Sequence, residues 1–294
     1  MNKSLSGLSI FLLKLISRLP FWFLFLLADL LFFILFYIVG YRRKVTQTNL
    51  ANAFPDKTTQ ERARIEKKYY RFLADMIMES LKMASLSKEE VLKRCIFINP
   101  QEVERHFDRG RSVLMVSGHY ANWEWANLSI ALGFNEKLLV IFKPLTNKDF
   151  GQYLNEIRSR FGAIMVPMKH TLRKIVELKD QKYIVGFASD QTPTRHESKY
   201  FTTFLNQPTA VFLGIEKIAK ATGHPVVYAH ADRIKRGVYA YTFTTLAEEP
   251  ALTGEYEITD LHTQKLEEII RRKPELWLWS HKRWKFKPEE INHS

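Results

Sequence analysis

The sequence predicts an α/β fold with a mainly parallel sheet flanked by helices, and three observations carry that reading. Apolar runs of strand length recur at 112–116, 137–142, 163–166, 183–188 and 225–231. Helical patterns separate them, at 123–132, 147–161, 171–179 and 211–222. Strands alternating with helices of that length build βαβ units and hence a parallel sheet. The third observation is size: 294 residues, 46% of them hydrophobic, suffice for a substantial core. A further strand is expected over 238–245 and a late helix over 260–272. No internal repeat or low-complexity segment interrupts the pattern.

Upstream of the sheet, Thr58-Thr59-Gln60-Glu61 reads as a capping box. Ile65, Tyr69, Phe72, Met76 and Leu81 then recur at helical spacing, so a long amphipathic helix should run from about 59 to 84. The stretch 46–57 reads as a linker. Before it, residues 21–39 (FWFLFLLADLLFFILFYIV) carry Asp29 as their only charge. That is close to the ~20 apolar residues of a spanning helix. Aromatic residues continue to Tyr41, and Arg42, Arg43 and Lys44 follow, with no small-residue cleavage site. The segment is therefore read as a retained membrane anchor rather than a signal peptide or a core helix. Basic residues flank both sides, so spanning and interfacial placement both stay open. The chain divides accordingly into an anchor, 1–45, and a catalytic domain, 46–294.

The formal net charge of +13 draws the chain toward anionic partners without choosing among lipid, protein and nucleic acid. No helix-turn-helix, zinc-finger or single-strand-binding signature supports nucleic acid. Cys95 is the sole cysteine, which excludes a disulfide framework and a cysteine-based metal cluster. No tight His/Asp/Glu group has ligand spacing, so neither metal nor cofactor is expected.

In open α/β sheets, ligands gather beyond the carboxyl ends of strands. Two strand ends here are polar. SVLMVSGHYANWEW offers His119 and, five residues on, Glu124; YIVGFASDQTPTR offers Asp190, Gln191 and Arg195. Histidine suits proton abstraction near neutral pH, and a carboxylate on its other nitrogen fixes the tautomer. The pairing works if His119 sits in the loop and Glu124 in the first turn of the next helix. Of nine histidines, His262 also has an acid five residues on, Glu267, but lies in a charged amphipathic stretch that reads as a solvated face. Asp190 reads equally as a turn or helix cap and as a site residue. By local pattern alone, Arg158 in NEIRSRFG is a solvated helix position. Trp279, His281, Arg283 and Trp284 read either as packing or as a headgroup-level surface. Cys95 lies outside the strand-end loops, a poor place for a nucleophile.

GHYANWE resembles the His-x4-Asp/Glu motif of glycerolipid acyltransferases, and the chain more closely resembles the lipid A late acyltransferases of the lauroyl/myristoyl branch. The resemblance covers nearly the whole chain, through the hydrophobic N-terminus, TQTNLANAFP, GHYANWEW, IRSRFGAIMVP, ASDQTP, the block beginning TTFLNQPTAVF, and PELWLWSHKRWK. It implies a glycerolipid-acyltransferase-like fold; with a histidine base and no good nucleophile, direct acyl transfer without a covalent enzyme intermediate is the mechanism expected. His119 would be the general base and Glu124 its partner, with Arg158 (or Arg160), Asp190 and Gln191 binding substrate. The implied donor is acyl carrier protein or coenzyme A, and the implied acceptor a hydroxyl of a lipid A precursor. The implied location is the inner membrane, with the catalytic domain on the cytoplasmic side. Another lipid acceptor, such as a lysophospholipid, an amino-acid lipid or a glycolipid, is the alternative. A non-enzymatic basic membrane or nucleic-acid-binding protein is the more remote one. The chain departs from the family at the residues after Asp190 (QTPTRHESK, where glycine is common) and at Phe204-Leu205-Asn206, which replaces a Phe-Phe-Gly block.

Overall fold

The computed structural model describes residues 3–290. Two N-terminal helices, α1 (Lys3–Ser17) and α2 (Phe21–Phe33), lead through a wider π-turn (Ile34–Ile38) into α3 (Arg43–Ala53) and the long α4 (Thr59–Lys82). Then follow α5 (Lys88–Arg94), β1 (Cys95–Phe97), α6 (Gln101–Asp108), β2 (Val113–Ser117), α7 (Trp123–Gly133) and β3 (Lys137–Phe142). The middle of the chain supplies α8 (Lys148–Arg158), β4 (Ile164–Pro167), α9 (Thr171–Glu177) and β5 (Tyr183–Ala188). The remainder is β6 (Phe201–Phe204), β7 (Gln207–Ala210), α10 (Gly214–Thr222), β8 (Val226–Lys235), β9 (Val238–Ala247) and α11 (Glu257–Arg272).

Seven strands form one sheet in the order β1-β9-β8-β2-β5-β3-β4, and β6 and β7 form a separate hairpin. Every pairing in the large sheet is parallel except β8 with β9. The predicted α/β class with a mainly parallel sheet is therefore the class observed. Val113, Leu114 and Val116 of β2, and Ile184 and Val185 of β5, are fully buried, as strands covered on both faces require.

Local chemistry explains the helix starts. At α4 the Thr58 hydroxyl accepts from the Glu61 N–H, and the Glu61 carboxylate accepts from the Thr58 N–H at 2.7 Å, the capping box read from sequence. Ser87 and Glu90 do the same for α5, which the sequence reading left unassigned. The stretch 46–57, expected to be a linker, is mostly helix α3. Its Thr46, Asn49, Leu50 and Ala53 are buried at helical spacing, a pattern too short and too polar to stand out in sequence.

The family-like Asn in TQTNLANAFP has a structural task. Asn49 is buried, and its side-chain amide donates to the carbonyls of Trp279 (2.9 Å) and His281 (3.0 Å). Phe54 packs on Trp279, and Tyr69 donates to the Ser280 hydroxyl. The beginning of the folded body thus grips its end. Asn49→Ala leaves the Trp279 carbonyl unpaired and the His281 carbonyl with only the Arg283 N–H, and should lower the unfolding free energy by about 1–3 kcal/mol, read by urea denaturation; an unchanged midpoint would contradict the tether.

Candidate active site

Strand register creates the site. Strand β2 pairs in parallel with β5 so that Ser117 lies opposite Ala188. Two residues beyond each partner come His119 and Asp190, delivered side by side past the carboxyl ends of adjacent strands. The His119 Nδ1 is 2.6 Å from Asp190 Oδ1, and the His119 backbone N–H donates to Asp190 Oδ2 at 2.9 Å. The approach is close: a Cβ on Gly118 would stand 3.3 Å from Asp190 Oδ2 and 2.8 Å from the Leu266 side chain.

The loop after β2 is locked against the C-terminal segment. Tyr120 bridges to Trp277, and the N–H of Ala121, held at a φ of 50°, donates to the Leu276 carbonyl at 2.9 Å. This docking aims the Trp277 indole at Asp190 Oδ2, 2.8 Å away. Asp190 thus accepts hydrogen bonds from a ring nitrogen, a backbone amide and an indole. With Nδ1–H donating to Asp190, Nε2 becomes the acceptor, and the Gln191 side-chain amide lies 3.2 Å from it. Trp123 meets the imidazole edge-on.

Electrostatics follow from this packing. For His119, burial opposes the charged form most strongly, but attraction and hydrogen bonding to Asp190, helped by Glu124, outweigh it and raise the pKa. For Asp190, burial pushes upward, yet His119, the Trp277 indole and the His119 N–H together hold the carboxyl below its ordinary range. Arg283 is buried behind Asp190 beside a small cavity also lined by His262; burial pulls its guanidinium down to about 10.

The structure differs here from the sequence expectation. The carboxylate on Nδ1 is Asp190, not Glu124. Glu124 lies in the first turn of α7, as expected, but receives a two-point ion pair from Arg158: Nε to Oε2 at 2.8 Å, with Nη2 on Oε1. The reason is geometric: the parallel register presents Asp190 directly to His119, whereas the α7 start points Glu124 toward α8. Asp190 therefore stands against the imidazole, while Glu124, Arg158 and Gln191 line the adjoining cavity. Arg160 donates to the Met83 carbonyl and does not line it. His262, expected on a solvated face, is buried, and burial lowers its pKa to about 4. Trp279 and Arg283 are buried and His281 accepts from the Thr192 N–H, so the packing reading of the tail holds. Trp277 was missed as a site residue; its tryptophan-rich block was visible, its aim was not. Cys95 is buried and its thiol is pushed up to about 12 by burial, which suits packing.

The cavity occupies about 770 Å³. Ile130, Leu138, Val140, Phe142, Leu154 and Ile218 contribute apolar wall, and His119, Glu124 and Arg158 supply the convergent polar groups. Among the described residues no group of three or more His, Cys, Asp or Glu side chains is placed to hold a metal.

A carboxylate-oriented imidazole at the edge of an apolar cavity, beyond a parallel sheet, suits an α/β transferase that deprotonates a hydroxyl beside a lipid tail. The chain belongs to the bacterial lipid A biosynthesis acyltransferase family, whose model matches residues 3–286. It is similar to a lipid A biosynthesis palmitoleoyltransferase of Escherichia coli (strain K12), 23% identical over 84% of this chain and 80% of that one. A lauroyltransferase of the same strain is 22% identical, covering 85% and 81%. A lipid A biosynthesis acyltransferase of Haemophilus influenzae is 22% identical, covering 81% and 74%. Family membership implies acyl transfer and displaces the non-enzymatic alternative.

The departure at Phe204-Leu205-Asn206 is a matter of turn chemistry. Leu205 and Asn206 both have positive φ, 49° and 63°, as the two central residues of the β6–β7 hairpin. Asparagine tolerates that conformation nearly as glycine does. Leu205 is held there by its N–H, which donates to Glu267 at 2.7 Å.

The pair predicts a pH signature. A general base at His119 would work in its neutral form, so activity should rise with pH through a pKa above the ordinary ~6.5. Asp190→Asn removes the attraction and leaves the burial. The acid limb of kcat/KM should then move to lower pH while the rate falls about 10²–10⁴-fold. For stability, the raised His119 pKa contributes fully below ~6.5 and its contribution is lost as pH rises through the raised value. The depressed Asp190 contributes above ~3.9 and its contribution is lost as pH falls through its lowered pKa. The stability gap between wild type and Asp190→Asn should accordingly be widest between about 4 and 6.5. A gap independent of pH would contradict the coupling.

Proposed function

We propose that this enzyme moves a fatty acyl group from acyl carrier protein, or coenzyme A, to a hydroxyl of a phosphorylated, acylated glucosamine disaccharide, a lipid A precursor. The observation that carries the reading is the polar edge of the apolar cavity, where His119 Nε2 is left as acceptor by the Asp190 bond on Nδ1. An acyl chain lying against Leu138, Val140 and Phe142 would bring its thioester carbonyl to that edge. His119 takes the acceptor hydroxyl proton as the oxygen attacks the carbonyl carbon. The tetrahedral intermediate then collapses, the carbon–sulfur bond breaks, and the imidazolium returns the proton to the departing thiolate. No bond to the protein is needed.

Glu124 acts in this mechanism through Arg158. The carboxylate holds the guanidinium at the cavity wall, where it can face the developing oxyanion or a substrate phosphate. Gln191 supplies an amide beside Nε2. The family assignment, the anchor-like N-terminus and the basic balance support a site of action at the cytoplasmic face of the inner membrane, with residues 46–294 as the catalytic domain.

The test is transfer of labelled acyl groups from carrier protein or coenzyme A to a panel comprising a lipid A precursor, lysophosphatidic acid and an amino-acid lipid. Wild type should label the lipid A precursor, and His119→Ala should cut turnover about 10²–10⁴-fold. Glu124→Gln and Arg158→Ala should each reduce turnover and be non-additive, with a coupling of about 0.5–3 kcal/mol. Transfer confined to another acceptor would overturn the lipid A assignment; additive losses would separate Glu124 from Arg158.

A further inference from the structure

Helix α2 and its π-turn have two unlike faces. Leu24, Ala28, Phe32 and Phe36, spaced four apart, are 0–8% exposed, and α2 packs with this buried stripe against α4. Trp22, Leu26, Leu30, Phe33 and Tyr37, on another stripe, are 51–70% exposed. Helix α1 adds exposed Leu8, Phe11, Leu12 and Leu15.

We propose that α1 and α2 lie flat on an anionic lipid surface, in the plane of the interface, instead of crossing the bilayer. The stretch Phe21–Ile38 is long and apolar enough to span, but its attachments do not permit it. Arg236, at the β8–β9 turn, reaches the middle of α2: its Nη2 is 2.7 Å from Asp29 Oδ1 and 3.1 Å from the Phe25 carbonyl. The same guanidinium donates through Nε to Asp75 of α4 at 2.7 Å. A spanning α2 would carry Asp29 to mid-bilayer, where an aspartate costs about 2.5–3.5 kcal/mol. It would also either drag Arg236 and Asp75 in with it or break both ion pairs and strip the Leu24–Phe36 stripe from α4. Lying flat keeps every one of these contacts.

Charge identifies the occupant of the exposed face. Cations border the segment: Arg94 at Phe21 (3.5 Å) and Lys67 at Tyr37 (5.9 Å), with Arg71 at Phe32 on the side that faces α4 (5.1 Å). An apolar stripe fringed by arginine and lysine is the pattern of a helix seated among acidic headgroups. The surface also adjoins the cavity. Lys14 of α1 lies over Tyr153 of α8, and α8 lines the cavity through Leu154 and Arg158. The membrane-facing helices thus sit beside a helix that lines the cavity.

This placement does not draw on the acyl-transfer chemistry, and its test has no activity readout. The full-length protein, with a protease-cleavable epitope before Met1, is bound to sealed phosphatidylglycerol/phosphatidylethanolamine vesicles. Spin labels replace Trp22, Leu26, Leu30 or Tyr37 in turn. Protease added outside should remove the epitope without detergent. The four labels should share one shallow depth, about 5–10 Å into the headgroup and acyl boundary. An epitope protected until the vesicles are opened would establish a spanning helix and overturn the proposal. So would labels at Leu26 and Leu30 near the bilayer centre, about 15 Å into the hydrocarbon. A protein that ignores the vesicles and dimerises in buffer would assign the face to a second copy instead.

Discussion

The hydrogen bond between His119 Nδ1 and Asp190 depends on how β2 and β5 pair. Parallel strands advance together, so the residues following Ser117 and Ala188 emerge as neighbours although 71 positions separate His119 from Asp190. A slip of one residue would turn every side chain of one strand to the opposite face and separate the pair. Burial on both sides of the sheet specifies the register, so the core that stabilises the molecule also sets its chemistry.

Other contacts convert that adjacency into a fixed geometry. The Trp277 indole and the His119 amide occupy Asp190 Oδ2, which leaves Oδ1 for the imidazole. Trp277 is placed by the bridge to Tyr120, and the segment beyond it by Asn49 and Tyr69. Residues from both ends of the chain therefore serve one carboxylate. On the cavity side, Glu124 and Arg158 form a second charged pair that holds a guanidinium at the cavity wall.

Periodicity exposed much of this fold. The strand-length apolar runs became β2, β3, β4, β5 and β8, and the capping box at Thr58 opened α4 as read. Short elements escaped: β1 has three residues and α5 has seven, too few for a period to register. His119, Glu124, Arg158, Asp190 and Gln191 were all named from strand ends and motifs, and the fold gathers them around one cavity edge. Their partnerships were not legible, because sequence proximity favoured Glu124 for a place that tertiary register gives to Asp190. The burial of His262 was hidden for a related reason, since α11 turns its His262–Leu266 face inward against the sheet.

The central claim is that Asp190, brought in by strand register, holds the Nδ1 proton of His119. Nitrogen-15 and proton NMR of histidine-labelled protein reads that proton directly. Neutral His119 should appear as the Nδ1–H tautomer with a strongly downfield ring proton, lost in Asp190→Asn and retained in Glu124→Gln. A signal that survives Asp190→Asn and disappears in Glu124→Gln would assign the imidazole to Glu124 and contradict the account.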